Sequence, residues 1–381
     1  MSDPGIVTTA SPTNPTTQLP WQASPGRSTS IFRKRVQKFR RIKRGYYSFL
    51  TLVIAYAISF ILPVLINNKP LIVSYNGEWS FPVAKYYPAD AFGLTTVGEP
   101  NYRELKETFR KEGAGNWVLM PPYPYSATES LFDLPGAPPH APSTSHWFGT
   151  DDRARDVFAR LAYGFNVSLT FALIVTVIGE GLGVIVGALL GYFGGKLDIL
   201  GQRFIEIWSS LPFLYTIIII SSIVVPQYLP ERILLRQPSF WILVSILVAF
   251  NWMGITYYVR GEFYREKAKD YVAAATAMGV SETAIMFRHI LPNALTPVVS
   301  FAPFTIVLAI TELVALDFLG FGLPPPTPSW GELIYQAMDN LTKWWLVFYP
   351  LGVLFLTLLL VVFVGEAVRE AFDPKEYSRL R

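Results

Sequence analysis

Apolar residues along this chain collect into long runs, not into the short alternating stripes of a soluble sheet. Residues 46–66, 166–193, 204–225, 240–259, 294–316 and 344–364 each approach or exceed the roughly 20 residues that a helix needs to cross a bilayer. The pattern predicts six spans. The fold class is an all-α integral membrane protein with a long extracytoplasmic insert. Residues 46–66 carry no charged side chain, and Pro63 sits near the outer end of that run. In residues 166–193, Gly179, Gly183, Gly187 and Gly191 recur every four positions. That spacing bares one helix face for close packing in lipid. Pro212, after Ser209 and Ser210, predicts a kink in the third span and a freed carbonyl.

The polar stretches between the runs set the topology. Residues 33–44 hold Arg33, Lys34, Arg35, Lys38, Arg40, Arg41, Lys43 and Arg44 with no acid. Directly before an apolar run, such a cluster predicts a cytoplasmic N-terminus rather than a nucleic-acid site. Residues 1–30, rich in Ser, Thr and Pro, predict a disordered tail and contain no apolar signal-peptide core. Residues 67–165 then form the outside insert. Within it, Asn76-Gly77 between two short apolar runs predicts a β-hairpin. The insert is either a platform for an extracytoplasmic binding protein or a cap packed on the helices. Residues 149–164 predict an amphipathic surface helix capped by Thr150 or Asp151. Residues 194–203 predict a short inside loop, and residues 226–238 a short outside one. Residues 260–293, with Arg260, Arg265, Lys267, Lys269 and Arg288, fall inside. The core therefore spans 166–368, and a cytoplasmic tail covers 369–381.

Composition narrows the class further. Of 381 residues, 51% are hydrophobic and only 16% charged, against about 25% charged in soluble domains. There is no cysteine, which removes disulfides and thiolate chemistry. His140 and His146 lie in a Pro-rich loop and predict surface residues, not metal ligands. No Gly-x4-Gly-Lys-Ser/Thr phosphate loop occurs, and no nucleophile–base set, so no enzyme is predicted. Polar or irregular features inside the runs are Glu180, Ser209, Pro212, Asn251, Trp252 and Glu312. They mark either a translocation path or helix–helix hydrogen bonds.

One inside stretch stands apart, residues 270–293. Asp270 can cap a short helix, Gly279 can end it in a left-handed turn, Ser281 can cap a second, and Pro292 can limit that one. Ala273, Ala274, Ala275 and Ala277 leave the first helix thin. From its physics this is either a docking element or a helix resting at the headgroups.

The order Ala273-Ala274-Ala275, Gly279, Leu291-Pro292 resembles the EAA coupling loop of permease subunits in ATP-binding-cassette (ABC) importers. Ala273 stands where that consensus has Glu. Residues 149–160 (Gly-Thr-Asp-Asp-Arg-Ala-Arg-Asp-Val-Phe-Ala-Arg) are similar to a signature of the C-type permeases of dipeptide, oligopeptide and nickel importers, with Ala154 for Gly. Residues 318–331 and 368–374 resemble that family's outer loop and C-terminal ending. The resemblance implies a type I ABC importer permease fold and a coupling surface. For that surface it implies Asp270, Tyr271, Ala274, Ala275, Gly279, Ser281, Arg288, Leu291 and Pro292. It implies a B-type permease partner, an ATPase with two nucleotide-binding halves, and a periplasmic peptide-binding protein. ATP and magnesium would be held by the ATPase and no cofactor by this chain. The implied cargo is oligopeptides, including the peptide–nucleotide microcin C, with dipeptides or nickel as the alternative. The implied location is the bacterial inner membrane with both termini cytoplasmic. An ion-coupled secondary transporter would want inverted repeats, which six spans in one copy do not supply.

Overall fold

The computed structural model describes residues 31–224 and 239–372. The expected tail at 1–30, the outer loop at 226–238 and the ending beyond 372 lie outside the described residues. The basic run is helical: α1 covers Ile31–Arg41, and after Ile42 the chain enters α2, Lys43–Ser59. A break at Phe60 and Ile61 precedes the single turn α3, Leu62–Leu65, which carries Pro63 in its first turn where a missing N–H costs nothing.

The insert expected on the outside builds a small domain on this end. Strands β1 (Ile72–Tyr75) and β2 (Glu78–Ser80) pair antiparallel around Asn76 (φ 51°) and Gly77 (φ 83°). After a 3-10 turn at Ala89–Phe92 and helix α4 (Tyr102–Glu112), strand β3 (Trp117–Leu119) joins the free edge of β1, giving the order β2-β1-β3. Val73 and Val118 pack with Phe92, Tyr102, Leu105 and Phe109 into a separate core. Asn101 caps α4 by accepting from Arg103 N at 3.2 Å. The domain is tied to the first apolar helix by Asn67 N to Tyr123 O (3.1 Å) and Tyr123 N to Leu65 O (3.0 Å).

The long helix α5 (Val157–Phe193) follows. Asp156 caps it, accepting from Ala159 N at 2.8 Å. No breaker intervenes before Gly194, so the expected amphipathic surface helix at 149–164 is replaced by a capped loop and one continuous 37-residue helix. Thr150 and Asp151 cap nothing there: Thr150 Oγ accepts from His140 N at 2.8 Å, and Asp151 folds the loop by accepting from Arg153 N and Arg155 N. The expected inside loop at 194–203 is helical too. Helix α6 covers Gly195–Ser209 and α7 covers Phe213–Val224, bent by 79° at the break before Pro212. A proline there has no N–H for the preceding turn, which lets the helix fold back.

Helix α8 (Phe240–Lys267) packs along α5 through the glycine face. A β-carbon at Gly187 would fall 2.8 Å from Thr256 O, and at Gly191 2.7 Å from Arg260 O. Short helices α9 (Asp270–Ala277) and α10 (Glu282–Ala284) lead through a π-helical stretch, Ile285–Ile290, into α11 (Leu291–Ala294). Helix α12 (Thr296–Phe318), α13 (Trp330–Asp339) and α14 (Trp344–Phe372) complete the chain. Helices α5, α8, α12 and α14 are long and apolar enough to cross a membrane, and the bent pair α6–α7 would make a fifth span. The main core gathers Phe171, Val175, Leu243, Leu247, Ile310, Leu313, Trp330 and Leu346.

A buried ion network locks loop 149–156 to α13. Arg155 meets Asp151 at 2.7 Å and Glu332 at 3.0 Å, Arg153 meets Glu332 at 3.2 Å, and fully buried Arg160 pairs with Glu332. Burial pushes the Glu332 carboxyl up, but the guanidinium groups of Arg160 and Arg155 outweigh it and hold the group below its ordinary value. Asp156 also accepts from Tyr123 Oη at 2.6 Å and lies 2.9 Å from His146 Nδ1. His146 is therefore buried, not the surface residue its Pro-rich loop suggested. Ala154 sits at φ 57°, fully buried. This is the left-handed region that disfavours a β-carbon by roughly 1–2 kcal/mol.

Candidate coupling site

The stretch 270–293 hangs from the end of α8. Lys269, not Asp270, occupies the cap position of α9; Asp270 is the first helical residue and makes no cap bond with its side chain. Its carboxylate still lies at the positive end of the helix, where it is favourable. At the far end Gly279 has φ 76°. Gly279 N donates to Thr276 O (3.0 Å), and Val280 N donates to Ala275 O (3.1 Å). Ser281 Oγ accepts from Ala284 N at 3.4 Å, and α10 begins. Pro292 does not stop this second helix as expected. The chain widens into the π stretch, whose longer bonding reach tolerates a residue without an N–H, and Pro292 lies in the first turn of α11.

The back of this turn is anchored. Val272, Ala275, Ile285, Met286, Ile290 and Ala294 are buried against Ala188 and Tyr192 of α5 and Ile255, Val259 and Phe263 of α8. Ala275 is 3% exposed, so its side chain belongs to the anchor, whereas the resemblance implied it for the coupling surface. Tyr271 is half-buried and donates to Glu266 Oε2 at 2.9 Å. Burial, then the bond to Glu266, pushes its hydroxyl pKa up. Leu291 is also half-buried. The outward face holds Asp270, Ala273, Ala274, Ala277, Gly279, Ser281, Arg288 and Pro292. It also shows Met278, 75% exposed, and Phe287, 51% exposed, which sequence reasoning had passed over. The signal for both was available: they are large apolar residues in the polar stretch between two apolar runs.

A second feature ties α8 to the bent helix. Arg260 donates from Nε and Nη2 to the two carboxylate oxygens of Asp198 at 2.5 and 2.6 Å, and Tyr264 Oη adds a third bond at 2.7 Å.

The polar residues inside the spans bond in pairs, two of which join neighbouring helices. Thr305 Oγ donates to Glu180 at 2.9 Å, joining α12 to α5, and Asn251 donates to Glu312 at 2.8 Å, joining α8 to α12. Trp252 and Ser209 bond to carbonyls of their own helices, those of Ala249 (2.9 Å) and Glu206 (3.1 Å). Pro212 marks the bend. Among the described residues no group of three or more His, Cys, Asp or Glu could hold a metal ion.

Span-length helices, packed through a glycine face and carrying an anchored helix–Gly–helix turn, define an integral membrane permease subunit. The chain belongs to the family of inner membrane components of binding-protein-dependent transport systems, whose pattern matches residues 183–376. It is similar to the inner membrane ABC transporter permease protein YejE of Escherichia coli K12, 41% identical over 352 residues, 92% of this chain and 99% of that one. It is also similar to the peptidoglycan transport system permease protein YejE of Agrobacterium fabrum, 40% identical over 373 residues, 91% and 94% of the two chains. The oligopeptide transport system permease protein OppC of Bacillus subtilis is 32% identical over 255 residues, 66% and 78%.

Proposed function

We propose that this chain is one of two permease halves of an importer for oligopeptides, driven by an ATPase that docks on the turn at residues 270–293. The observation that carries the reading is the form of that turn. Its outward face is thin, exposed and studded with Met278 and Phe287, while its back is packed on α5 and α8. A push on such a face moves two spans together. The bond pair from Arg260 to Asp198 carries the displacement on to α6. Names of the similar proteins, which concern oligopeptide and peptidoglycan transport, support the cargo class.

In this reading six spans place both termini and the turn in the cytoplasm, with α2 and α3 as the first span. A B-type permease completes a heterodimer, an ATPase with two nucleotide-binding halves supplies ATP hydrolysis with magnesium, and a periplasmic peptide-binding protein delivers cargo at the insert. This chain binds no cofactor itself. Glu180, Asn251 and Glu312 offer hydrogen-bonding groups to a passing peptide backbone, and microcin C-like conjugates fall within the same cargo chemistry. Dipeptides or nickel are the alternative cargo, because choice rests on the binding protein.

Affinity purification of the chain from its native membrane in mild detergent tests the reading. Recovery of a second permease and a double ATPase, with hydrolysis stimulated by peptide-loaded binding protein, is the expected result. A lone chain without stimulated hydrolysis refutes it.

A further inference from the structure

We propose that α1 is a binding surface for anionic phospholipid headgroups of the cytoplasmic leaflet. The placement on that leaflet rests on the topology proposed above. The eight cations of residues 33–44 divide into two groups. Three face the protein. Lys38 Nζ donates to Glu370 O at 2.8 Å, Arg44 pairs with Glu366, and the Arg35 guanidinium lies 4.8 Å over the Phe372 ring, all on α14. Phe39 adds edge contacts to Tyr46 (6.3 Å) and Phe49 (5.8 Å) on α2. So α1 is held in place and not free to swing.

The other five, Arg33, Lys34, Arg40, Arg41 and Lys43, are exposed and make no ion pair with any described residue. At 100° per residue, Arg33, Lys34, Gln37, Arg40 and Arg41 fall within an arc of about 120°. One face of a fixed helix is thus a block of cations without an acid.

Continuity with the bilayer selects the occupant. Only Ile42 separates α1 from α2, and Tyr47, 60% exposed, stands one turn inside α2, where aromatic residues mark a membrane–water boundary. A basic face at that depth meets the headgroup layer, whose anionic lipids attract juxtamembrane Lys and Arg. Because α1 grips the end of α14, lipid held here also steadies the last helix.

The test uses the full chain purified in mild detergent, titrated with phosphatidylglycerol or phosphatidylcholine, with bound lipid counted by native mass spectrometry. Phosphatidylglycerol is expected to be retained about tenfold more tightly. The preference should vanish in the variant R33Q/K34Q/R40Q/R41Q, whose four side chains touch no described acid, and in about 0.5 M salt. Equal retention of the two lipids, or a preference that survives in the variant, overturns the proposal. So does a variant that keeps its lipid preference but no longer co-purifies with an ATPase, which would assign the face to a protein. The chain has no cysteine, so Gln37→Cys reports the side of the membrane by itself. Labelling only from outside would refute the topology, whereas the lipid preference, read in detergent, stands or falls separately.

Discussion

Replacing Gly187 with alanine should unfasten α5 from α8. A methyl group there would lie 2.8 Å from Thr256 O, 2.9 Å from Val259 Cβ and 3.2 Å from Arg260 N. Carbon atoms pack best at about 3.5–4.0 Å, so the helices must part by roughly 0.6–1 Å. A gap of that size forfeits a quarter to a half of the dispersion gained along the seam, and overpacking of this kind costs about 1–3 kcal/mol. Neither neighbour is a flexible side-chain tip: one is a backbone carbonyl and another a β-branched carbon. The expected loss is therefore in the upper half, about 2–3 kcal/mol, a factor of at least about 30 in the folded-to-unfolded ratio. Gly181 supplies the control, since a β-carbon there meets nothing within 4 Å. Gly181→Ala should be neutral or slightly stabilising, because alanine is the better helix former by up to about 1 kcal/mol. Titration of both variants from mild detergent into dodecyl sulfate, followed by far-ultraviolet circular dichroism, measures the difference. Equal midpoints for the two variants would refute the claim that the glycine face sets the α5–α8 distance.

Gly279→Val, placed at φ 76° with open space around it, should cost about 1–2 kcal/mol locally through backbone strain alone. Peptide uptake should fall while membrane insertion and expression stay unchanged; normal uptake would remove Gly279 from the coupling turn. Glu332→Gln strips buried Arg160 and Arg155 of their shared partner and should lower stability by about 3 kcal/mol. Because the Glu332 pKa is held below its ordinary value, its contribution is full above the ordinary carboxylate range and is lost as pH falls through the depressed value. Melting measured downward from pH 7 should therefore drop for the native chain below about pH 4, and the variant should lack that part of the drop. Asp198→Ala and Arg260→Ala, alone and combined, should show a coupling energy of about 1 kcal/mol in a double-mutant cycle, since Arg260 is 28% exposed. Additive effects would show that the two do not act together.

What the sequence made legible was local. Long apolar runs marked most of the apolar helices, Pro212 marked the bend, and Asn76-Gly77 marked where β1 turns into β2. Gly279 and Ser281 carried their turn and cap in their own side-chain chemistry. What it hid depends on partners far along the chain. Arg160 reads as a polar position on an amphipathic surface helix; it is buried because Glu332 lies 172 residues on. His146 reads as a loop residue; it is buried because Asp156 and the Tyr125 ring, 4.3 Å away, enclose it. Ala275 looks equivalent to Ala274 in a run of alanines. Only the tertiary packing of α9 on Phe263 and Val259 decides which of them faces inward. The same holds for the third strand, since β3 pairs with β1 across more than 40 intervening residues.

The length of α5 has a mechanical consequence. Thirty-seven residues at 1.5 Å each make a rod of about 55 Å, well beyond the roughly 30 Å of hydrocarbon it would cross. One tip is clamped by Asp156, Arg160 and Glu332, while the other lays Tyr192 against the 270–293 turn. A stiff beam pivoting near its midpoint trades angle for travel. A tilt of about 5° would carry each tip by roughly 2.4 Å, in opposite directions. A small displacement at the 270–293 turn would thus arrive at the far tip of α5 as a shift wide enough to part an ion pair, with no element in between needing to deform.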